Sequence, residues 1–364
     1  MEQSLVLYRK YRPSTFSEVI GQEHVIRTIT NALSLDKVAH AYLFTGSRGT
    51  GKTTIARLLA KAINCETKNG YEPCNKCHAC MEINSGRCFD LIEIDAASNR
   101  GIDEIRELRD GIKFTPASLK NKVFIIDEVH MLTQPAFNAL LKTLEEPPTY
   151  AIFILATTEI HKVPQTIISR CQKFDFRKLP LEKIINRLEG ISKKEKVKID
   201  KPALKLIALN ADGCVRDAES LLGQIMSAQD KEITLEEVID ILGVADIKAI
   251  QDFVNFIAEK QQGMAITHIN SIINNGNDLV QFNKSLISYL RKMMIIKTDN
   301  SLAGLVAPEL TDEQLSGIIG QGQKFSNQDL VKLIHIFIDA EGDIKSLDFP
   351  QLPLELAVVE CCEE

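Results

Sequence analysis

The sequence has no tryptophan, no long apolar run and no large excess of charge of either sign. Its longest apolar segments, such as AIFILA at 151–156, are far shorter than the roughly 20 residues that a helix needs to cross a bilayer. We therefore predict no membrane partner. The formal net charge of −6 argues against a surface that is basic overall and holds nucleic acid by bulk attraction. Any contact with nucleic acid is expected to be local.

A secretion signal is also missing from the first residues, MEQSLVLYRKYRP, which lack the basic-then-apolar pattern and small-residue cleavage site of such signals. We expect a cytoplasmic protein whose nine cysteines are reduced. Hydrophobic residues make up 45% and charged residues 25% of the chain, as is typical of globular proteins. A length of 364 residues exceeds what one hydrophobic core usually supports and predicts two or three domains.

Short apolar segments rich in β-branched residues alternate with helical patterns through the first half of the chain. These segments are 41–44, 91–95, 122–127, 151–156 and 173–176. Strands of this kind are buried on both faces when helices cover a parallel sheet. The sequence therefore predicts an α/β fold with a doubly wound parallel sheet.

After residue 179 the strand pattern stops, and apolar residues recur every three or four positions, as a helix requires. An example is the series Leu279, Phe282, Leu286, Leu290 and Met293. A capping pattern from Thr234 to Glu237 opens a helix that ends near Gly243. We therefore predict three domains, over residues 1–179, 180–242 and 243–364.

A glycine-rich segment lies between the strand AYLF and the helical pattern TTIARLLAKAI, and it matches G-x-x-x-x-G-K-[ST]. With the next residue it comprises Gly46, Ser47, Arg48, Gly49, Thr50, Gly51, Lys52, Thr53 and Thr54. Backbone amides of such a loop surround phosphates, Lys52 reaches the β- and γ-phosphates, and Thr53 supplies a hydroxyl to Mg²⁺. An ordinary glycine-rich turn is the alternative, but the strand and helix on either side favour a nucleotide site.

The strand KVFIID ends in two carboxylates, Asp127 and Glu128, at the edge of the sheet where ligands of such folds bind. Asp127 is the candidate for orienting Mg²⁺, and Glu128 is the candidate general base that polarises the attacking water. A solvated surface pair is the alternative. Together with the glycine-rich loop, the pair predicts hydrolysis of a nucleoside triphosphate, because binding alone does not require Glu128.

Two further signals are weak on their own. Thr157 and Thr158 close the strand AIFILA, where a hydroxyl could sense the γ-phosphate or position water, but threonine is common at strand ends. Arg170 lies just before the last predicted strand, and an isolated arginine is most often a solvated surface group.

Four cysteines, Cys65, Cys74, Cys77 and Cys80, lie close together. Such a cluster in a reducing compartment favours a metal site over disulfides, and four thiolates are the usual structural ligands of zinc. An iron–sulfur cluster is an alternative, because C-x-x-C-x-x-C also begins ferredoxin-type motifs, although the following C-x-x-x-C-P is missing. By spacing alone, Cys88 could replace Cys65 as fourth ligand.

These motifs resemble those of the AAA+ ATPases and, most closely, the gamma/tau family of subunits of the bacterial DNA polymerase III clamp loader. The resemblance covers the whole ATPase part of the chain. It is carried by YRKYRPSTFSEVIGQEHV at 8–25, HAYLFTGSRGTGKTT at 40–54, the four cysteines, EIDAASNRGIDEIRELRD at 93–110, IIDEVHML at 125–132, NALLKTLEEPP at 138–148 and ISRC at 168–171.

The resemblance implies an ATPase domain with a zinc module at 65–80, followed by a helical lid and a helical collar that joins subunits. It implies that the adenine is walled by Tyr8, Arg12, Pro13 and Val19. Thr157 then matches the sensor 1 position, and Arg216 matches sensor 2 on the lid. Arg170 matches the arginine finger, which reaches the ATP of a neighbouring subunit. The same resemblance selects Cys65 as the fourth zinc ligand.

The resemblance also implies a function: an ATP-hydrolysing subunit that opens a sliding clamp and loads it on primed DNA, with ATP, Mg²⁺ and Zn²⁺ as ligands. The expected partners are the delta and delta-prime subunits and further gamma/tau copies, in a hetero-pentameric ring, together with the clamp and the DNA. Arg100, Arg106 and Lys113 are candidates for contact with DNA phosphates, although a solvated helix face fits the interspersed acids equally well.

The sequence leaves two alternative functions. A AAA+ helicase or remodeller shares the fold, but the cysteine quartet and ISRC speak against it. A non-hydrolysing scaffold subunit of the loader is opposed by the intact Lys52, Thr53 and Glu128. No polymerase site is visible in the sequence, so a polymerase label would describe the complex and not this chain.

Overall fold

The chain divides into two compact units, Met1–Glu232 and Ile233–Glu364. The computed structural model describes residues 6–101, 111–112, 114–228, 232–242, 247–274, 278–307, 312–344, 346–347 and 349–363. Among the helices of these residues, none combines the length and apolar character that crossing a lipid bilayer requires.

In its described residues, the first unit is built on a five-stranded parallel sheet with the order β2-β3-β4-β1-β5. The strands are β1 (Ala41–Thr45), β2 (Leu91–Asp95), β3 (Lys122–Asp127), β4 (Ala151–Thr157) and β5 (Gln172–Asp175). Every residue of β1 and β4 is buried, which explains why both are continuous apolar runs. The predicted parallel sheet is confirmed.

Helices cover both faces of this sheet. On one face, α2 (Glu23–Ser34) and α3 (Lys52–Asn64) share a core with Phe44 of β1. On the other face, α5 (Gln134–Glu145) packs Phe137 into a core with Phe153 of β4. The shorter helices are α1 (Leu7–Lys10), α4 (His78–Ser85) and α6 (Gln165–Ile168). This burial on two sides is the layered arrangement that the strand pattern predicts.

The register of the strands brings their carboxyl ends to one edge. Thr45 of β1 pairs with Thr157 of β4, and Asp95 of β2 pairs with Asp127 of β3. Polar residues that follow the apolar runs therefore gather at a single edge of the sheet, where parallel folds bind ligands.

Three helices follow the sheet within the first unit: α7 (Leu181–Glu195), α8 (Lys201–Asn210) and α9 (Val215–Ala228). Each buries one apolar face, with Leu188, Ile207 and Leu222 as examples. Two short strands accompany them, β6 (Lys198–Ile199) and β7 (Glu232–Ile233), and the division between the two units falls within β7.

The second unit is helical in its described residues. Its helices are α10 (Leu235–Leu242), α11 (Ile247–Ala258), α12 (Gln262–Asn274), α13 (Leu279–Thr298), α14 (Ala303–Val306), α15 (Asp312–Gly322), α16 (Asn327–Ile344) and α17 (Leu352–Glu363). The predicted apolar series on α13 is entirely buried. At the centre, the Phe253 ring meets the rings of Phe282 and Phe337 edge-on, at centroid distances of 5.4 and 6.0 Å.

The division between the units lies before the boundary predicted near residue 243. Thr234 and Glu237 do form the predicted capping box: Thr234 N donates to Glu237 Oε2 at 2.9 Å, and Glu237 N donates to Thr234 Oγ1 at 3.4 Å. The helix that they open, α10, belongs to the second unit, whereas the sequence predicts that it ends the lid. The apolar pattern of α10 does not reveal which neighbouring helices cover it. Residue 243 lies outside the described residues.

We expect Phe282→Ala to lower the free energy of unfolding by about 3 kcal/mol, because it leaves a cavity at a fully buried aromatic contact. Urea denaturation of the whole chain, followed by circular dichroism, measures this change. Val331→Ala is the matched control, since Val331 is 45% exposed and should move the transition little. An unchanged transition in Phe282→Ala would contradict the packing described above.

Candidate nucleotide site

The glycine-rich loop connects β1 to α3, which begins at Lys52. Gly46, with φ 144°, and Gly49, with φ 70°, adopt conformations that residues with a Cβ rarely adopt. Both are also crowded. A Cβ at Gly46 would lie 2.3 Å from the carbonyl oxygen of Phe176, and one at Gly49 would lie 1.9 Å from Sγ of Cys214. The loop therefore requires glycine at these two positions.

Lys52 turns its side chain back over this loop. Its Nζ donates to the carbonyl oxygens of Gly46 and Ser47, at 2.7 and 2.9 Å. The residue is 5% exposed, and burial lowers the pKa of its ammonium, while Glu128 and Asp127 act in the opposite direction. A cation thus lies beside the amides of the loop and the start of α3, as the binding of a phosphate group requires.

The predicted magnesium ligands contact each other directly. Thr53 Oγ1 donates to Asp127 Oδ2 at 2.8 Å, and the other oxygen of Asp127 accepts from the backbone amide of Glu128 at 3.0 Å. A hydroxyl and a carboxylate are hard oxygen ligands that suit Mg²⁺. The pair therefore fits the ion that a nucleoside triphosphate carries.

Glu128 follows β3 with φ 48°, a left-handed backbone conformation that is rare outside glycine and concentrates at functional sites. Its Oε2 accepts from Thr158 twice, from the hydroxyl at 2.9 Å and from the backbone amide at 3.2 Å. The carboxylate is therefore fixed in position at the edge of the sheet.

His130 connects Glu128 to the end of β4. Its side chain is 5% exposed, and its Nδ1 lies 3.4 Å from Glu128 Oε2 and 3.0 Å from Thr157 Oγ1. Its Nε2 lies 3.3 Å from Glu159 Oε1. Thr157, which is fully buried, also accepts from the Glu159 amide at 3.0 Å. His130 is not among the predicted residues, although its place two residues after the carboxylate pair is a signal for it.

A cavity of about 510 Å³ opens beside the loop. The predicted residues that line it are Tyr8, Arg12, Pro13, Val19, Arg48, Gly49, Thr50, Gly51, Lys52, Thr53, Thr54, Asp127, Glu128 and Arg216. Five other predicted residues are not among the lining residues: Gly46, Ser47, Thr157, Thr158 and Arg170. Residues of the loop, the carboxylate pair, the N-terminal stretch and the helix α9 thus line one cavity.

Tyr8 and Arg216 contact each other in one part of the cavity wall. The guanidinium carbon of Arg216 lies 4.8 Å from the centroid of the Tyr8 ring, within the range of a cation–π contact. Hydrogen bonds from Arg9 and then from Arg216 lower the pKa of the Tyr8 hydroxyl. Burial, the largest cause, lowers the pKa of Arg12 nearby. An aromatic ring and cations at one end of this cavity suit a nucleotide.

Several lining residues were not predicted from the sequence: Glu18, Ile20, Asp95, Ala97, Arg187, Val215 and Glu219. Asp95 could have been found, because it ends the predicted strand LIEID at the same edge as Asp127. Arg187 and Glu219 come from the helices α7 and α9, and only the folded chain brings them together.

Arg187 and Glu219 form a buried ion pair in the wall of the cavity. Nε of Arg187 donates to Glu219 Oε1 at 2.8 Å, and the two side chains are 18% and 5% exposed. Burial raises the pKa of Glu219, and Arg187 opposes that change. Arg187 also donates to the backbone carbonyl of Tyr11. The pair therefore ties α7 and α9 to the N-terminal stretch that carries Tyr8 and Arg12.

We expect Arg187→Met to destabilise the chain by about 3 kcal/mol, because it leaves the Glu219 carboxylate buried without its partner. The double variant Arg187→Met with Glu219→Leu should recover most of that loss, since two apolar side chains replace the pair. Urea denaturation of the three proteins gives the comparison. A double variant no more stable than Arg187→Met would contradict the pairing.

Arg170 lies away from the cavity of its own chain. Its Nη2 donates to Glu145 Oε1 at 2.5 Å, and its Nη1 donates to the Thr166 carbonyl at 2.8 Å and to Ser169 Oγ at 3.3 Å. The side chain is 32% exposed. The guanidinium is thus held at the end of α5 and remains accessible from outside the chain.

Of the candidates for DNA contact, Arg100 is exposed, and its Nε donates to the carbonyl of Ala97 at 2.8 Å. Arg106 and Lys113 lie outside the described residues.

The sulfur atoms of Cys65, Cys74, Cys77 and Cys80 all lie within 4.8 Å of one another. Cys88 does not belong to this group, so the arrangement favours Cys65 as the fourth member. Four thiols this close can surround one tetrahedral ion, and zinc prefers this donor set.

Hydrogen bonds to the sulfurs also fit a metal site. Backbone amides donate to Cys65 Sγ from Cys74 at 3.3 Å and to Cys74 Sγ from Cys77 at 3.2 Å and Lys76 at 3.4 Å. The hydroxyl of Thr67, followed by the amides of Lys76 and Cys77, lowers the pKa of Cys74 to about 5, whereas burial raises the pKa of Cys65 and that of Cys80. Thiolates are the form that binds metal.

Three family models match consecutive parts of the chain. They are described as the DNA polymerase III delta subunit, over residues 21–180, the ATPase lid domain of DNA polymerase III clamp loader subunits, over residues 183–229, and domain III of the DNA polymerase III subunits gamma and tau, over residues 233–363. The helices α7 to α9 are therefore the ATPase lid. The helices α10 to α17 lie in the region that matches domain III.

Among solved structures, the RuvB Holliday junction branch migration motor of Thermotoga maritima is 18% identical, with a TM-score of 0.48 over 74% of this chain and 86% of that chain.

The chain is also similar to curated proteins along most of its length. It is 43% identical to the DNA polymerase III subunit tau of Bacillus subtilis, over 98% of this chain and 63% of that protein. It is 38% identical to the DNA polymerase III subunit gamma of Buchnera aphidicola from Acyrthosiphon pisum, over 97% of both. The chain spans 63%, 47% and 49% of the length of the tau subunits of Bacillus subtilis, Salmonella typhimurium and Escherichia coli. The chain belongs to the gamma/tau family of DNA polymerase III subunits.

Proposed function

We propose that this chain is an ATP-hydrolysing motor subunit of a clamp loader, which opens a sliding clamp and loads it on primed DNA. The proposal rests on the groups that lie together at the carboxyl edge of the sheet. There Lys52, the Thr53–Asp127 pair and the fixed Glu128 line one cavity. A binding protein would need the first three of these groups, but a carboxylate held beside them serves hydrolysis.

The loop and its neighbours bind and orient the triphosphate. Amides of the loop and of the first turn of α3 donate to phosphate oxygens, and Lys52 offsets their charge. Thr53 and Asp127 would hold Mg²⁺, which supplies further neutralisation of the β- and γ-phosphates when bound. Tyr8, Arg12, Pro13 and Val19 wall the base, and Arg216 contacts the nucleotide from the lid.

Glu128 acts on the attacking water. Its carboxylate takes a proton from that water as the new bond between oxygen and γ-phosphorus forms and the bond to the β-phosphate oxygen breaks. Thr158 and His130 keep the carboxylate in one orientation, and Thr157 places a hydroxyl at the same edge as sensor 1. Precise placement of this kind is a large part of catalysis in phosphoryl transfer.

Arg170 is proposed to serve the nucleotide of a neighbouring subunit. It does not line the cavity of its own chain, and its side chain is accessible at the surface while Glu145 orients it. A guanidinium in this position can offset the charge that develops on the transferring phosphoryl group of an adjacent subunit. The nucleotide then lies between two protomers.

The cysteines Cys65, Cys74, Cys77 and Cys80 would hold a structural Zn²⁺, which leaves no open position for catalysis. The sequence predicts the lid over 180–242, and the first unit ends before Ile233. The lid couples nucleotide state to domain angle, and the helices after it form the collar. The partners are delta, delta-prime and further gamma/tau copies in a hetero-pentameric ring, the sliding clamp and primed DNA, with Arg100 as a candidate for phosphate contact.

Phosphate release in the presence of partner subunits, clamp and primed DNA tests the function. We expect ATP turnover that the clamp and the DNA together stimulate, and clamps that remain on DNA after hydrolysis. Turnover that ignores both would indicate another AAA+ activity. ATP binding without turnover would indicate a scaffold subunit.

A further inference from the structure

We call residues 65–85, which contain the four cysteines and the helix α4, the cysteine module. A short segment in the wall of the nucleotide cavity contacts this module. We call residues 14–17 the wall loop. Pro13 lies before it, and Glu18 and Val19 lie after it, and all three line the cavity. The position of the wall loop therefore fixes the position of that part of the cavity wall.

Glu72, which lies between Cys65 and Cys74, binds the wall loop with both carboxylate oxygens. Its Oε2 accepts from the amide of Phe16 at 2.8 Å, and its Oε1 accepts from the amide of Ser17 at 2.9 Å. These amides begin the 3₁₀ helix Phe16–Glu18, where a negative charge is favourable. Hydrogen bonds to a charged acceptor are stronger than neutral ones, so Glu72 anchors this turn.

Lys61 binds the other end of the wall loop. It is 2% exposed, and its Nζ donates to the Ser14 carbonyl at 3.0 Å, to Asn75 Oδ1 at 2.7 Å and to Asn84 Oδ1 at 3.1 Å. Asn75 also donates to the Ser14 carbonyl, at 3.1 Å. The ammonium therefore joins the wall loop to two residues of the cysteine module.

Lys61 also belongs to the environment of the cysteines. Its partner Asn75 lies between Cys74 and Cys77, and Cys80 and Cys65 are among the groups that oppose the lowering of the Lys61 pKa by burial. A site with four thiolates and Zn²⁺ carries a net charge of about −2, and a buried ammonium beside it offsets part of that charge. Lys61 lies on α3, the helix whose first residues are Lys52 and Thr53. One helix thus carries groups for both sites.

The segment that supplies Glu72 and Asn75 has little structure of its own to hold them. Between Cys65 and Cys77 the structure has no helix, only the isolated bridge between Asn69 and Glu72. Pro73 is the one buried residue between positions 66 and 76. A segment that buries so little apolar surface depends on its metal bonds for a defined fold.

We propose that Glu72 and Lys61 are positioning residues for the nucleotide site, and that occupancy of the four-cysteine site and binding of the nucleotide are thermodynamically coupled. The inference rests on the proposed nucleotide-binding role of the cavity. The cysteine module then acts on the cavity through a chain of contacts. The metal fixes Glu72 and Asn75, these residues fix the wall loop, and the wall loop fixes Pro13 and Val19.

Nucleotide affinity measured with and without metal tests the coupling. The dissociation constant of a fluorescent ADP is determined on the whole chain, once loaded with Zn²⁺ and once stripped with a chelator. We expect affinity about tenfold weaker after stripping, which is within the range of typical coupling between sites. Because coupling is reciprocal, saturating ADP should raise the affinity for Zn²⁺, measured by competition with a chromogenic chelator, by the same factor.

A variant that keeps all four cysteines separates the wall-loop contact from the metal itself. Glu72→Ala should still bind one Zn²⁺ per chain, but its ADP affinity should be about tenfold weaker and should respond little to metal removal. Glu72→Gln should lie between Glu72→Ala and wild type, because it keeps one acceptor oxygen. The matched control is Glu66→Ala, at an exposed position of the same module, which should behave as wild type in both titrations.

The outcomes are distinct. If zinc-loaded Glu72→Ala binds ADP as wild type does, the inference is overturned, even when the stripped chain unfolds and its own titration cannot be read. If metal removal leaves a folded chain with unchanged ADP affinity, the inference is likewise overturned. Coupling in a chain without clamp-stimulated turnover would leave the inference standing and remove the proposed motor function.

Discussion

Replacing Glu128 with glutamine should lower ATP turnover by about 10²- to 10⁴-fold while leaving nucleotide binding close to wild type. Glutamine has nearly the same shape and can still accept from Thr158, which contacts Oε2 at 2.9 and 3.2 Å. It cannot take the proton of the attacking water. The loss should therefore fall on the chemical step, with the loop, Lys52 and the Thr53–Asp127 pair unaffected.

Two measurements separate binding from chemistry in this variant. Phosphate release with partner subunits, clamp and primed DNA gives the turnover, and titration with a fluorescent ATP analogue gives the affinity. Glu182→Gln is the matched control, because Glu182 is exposed at the start of α7, and it should retain full turnover. Glu128→Gln with wild-type turnover would remove Glu128 from the mechanism and would require another base.

Arg170→Ala should lower the assembled complex's turnover by about 10³-fold or more, the typical contribution of an arginine finger. The folded chain should not be destabilised much, since the pair that Arg170 forms with Glu145 is 32% and 49% exposed and exposed pairs contribute little. The defect should therefore appear in kcat with little change in the unfolding midpoint. Arg87→Ala, at an exposed position, is the matched control.

Mixing of two inactive chains tests whether Arg170 acts on a neighbour. Arg170→Ala keeps its own phosphate loop, whereas Lys52→Ala keeps its finger and loses phosphate binding. In a mixed complex, a Lys52→Ala chain can supply Arg170 to the nucleotide of an Arg170→Ala chain, so part of the turnover should return. Mixtures as inactive as their components would refute action between subunits.

The sheet and the phosphate loop could be predicted from the sequence because local patterns determine them. Strands buried on both faces read as continuous apolar runs, and β3 ends, as predicted, at Asp127. At two positions of the loop, neighbouring atoms leave no room for a Cβ, so only glycine fits there. For such features, neighbours along the chain carry the information.

Other features depend on residues that are distant in the sequence. The Arg187–Glu219 pair spans two lid helices, and either residue alone resembles an ordinary charged group on an amphipathic helix. Spacing could not choose between Cys65 and Cys88, whereas the distances between sulfurs distinguish them. The helix α10 is a further example. Its apolar residues have the same spacing whether the helix closes the lid or opens the second unit.

The order of the strands has a consequence for behaviour at high concentration. In the described part of the sheet, β5 is a terminal strand of four residues, and its exposed Lys173 and Asp175 form an ion pair at 3.0 Å. A short terminal strand with charged side chains is a poor template for a strand of another molecule. At the β5 edge, copies of the chain that crowd together should therefore resist the aggregation that an open β-edge invites.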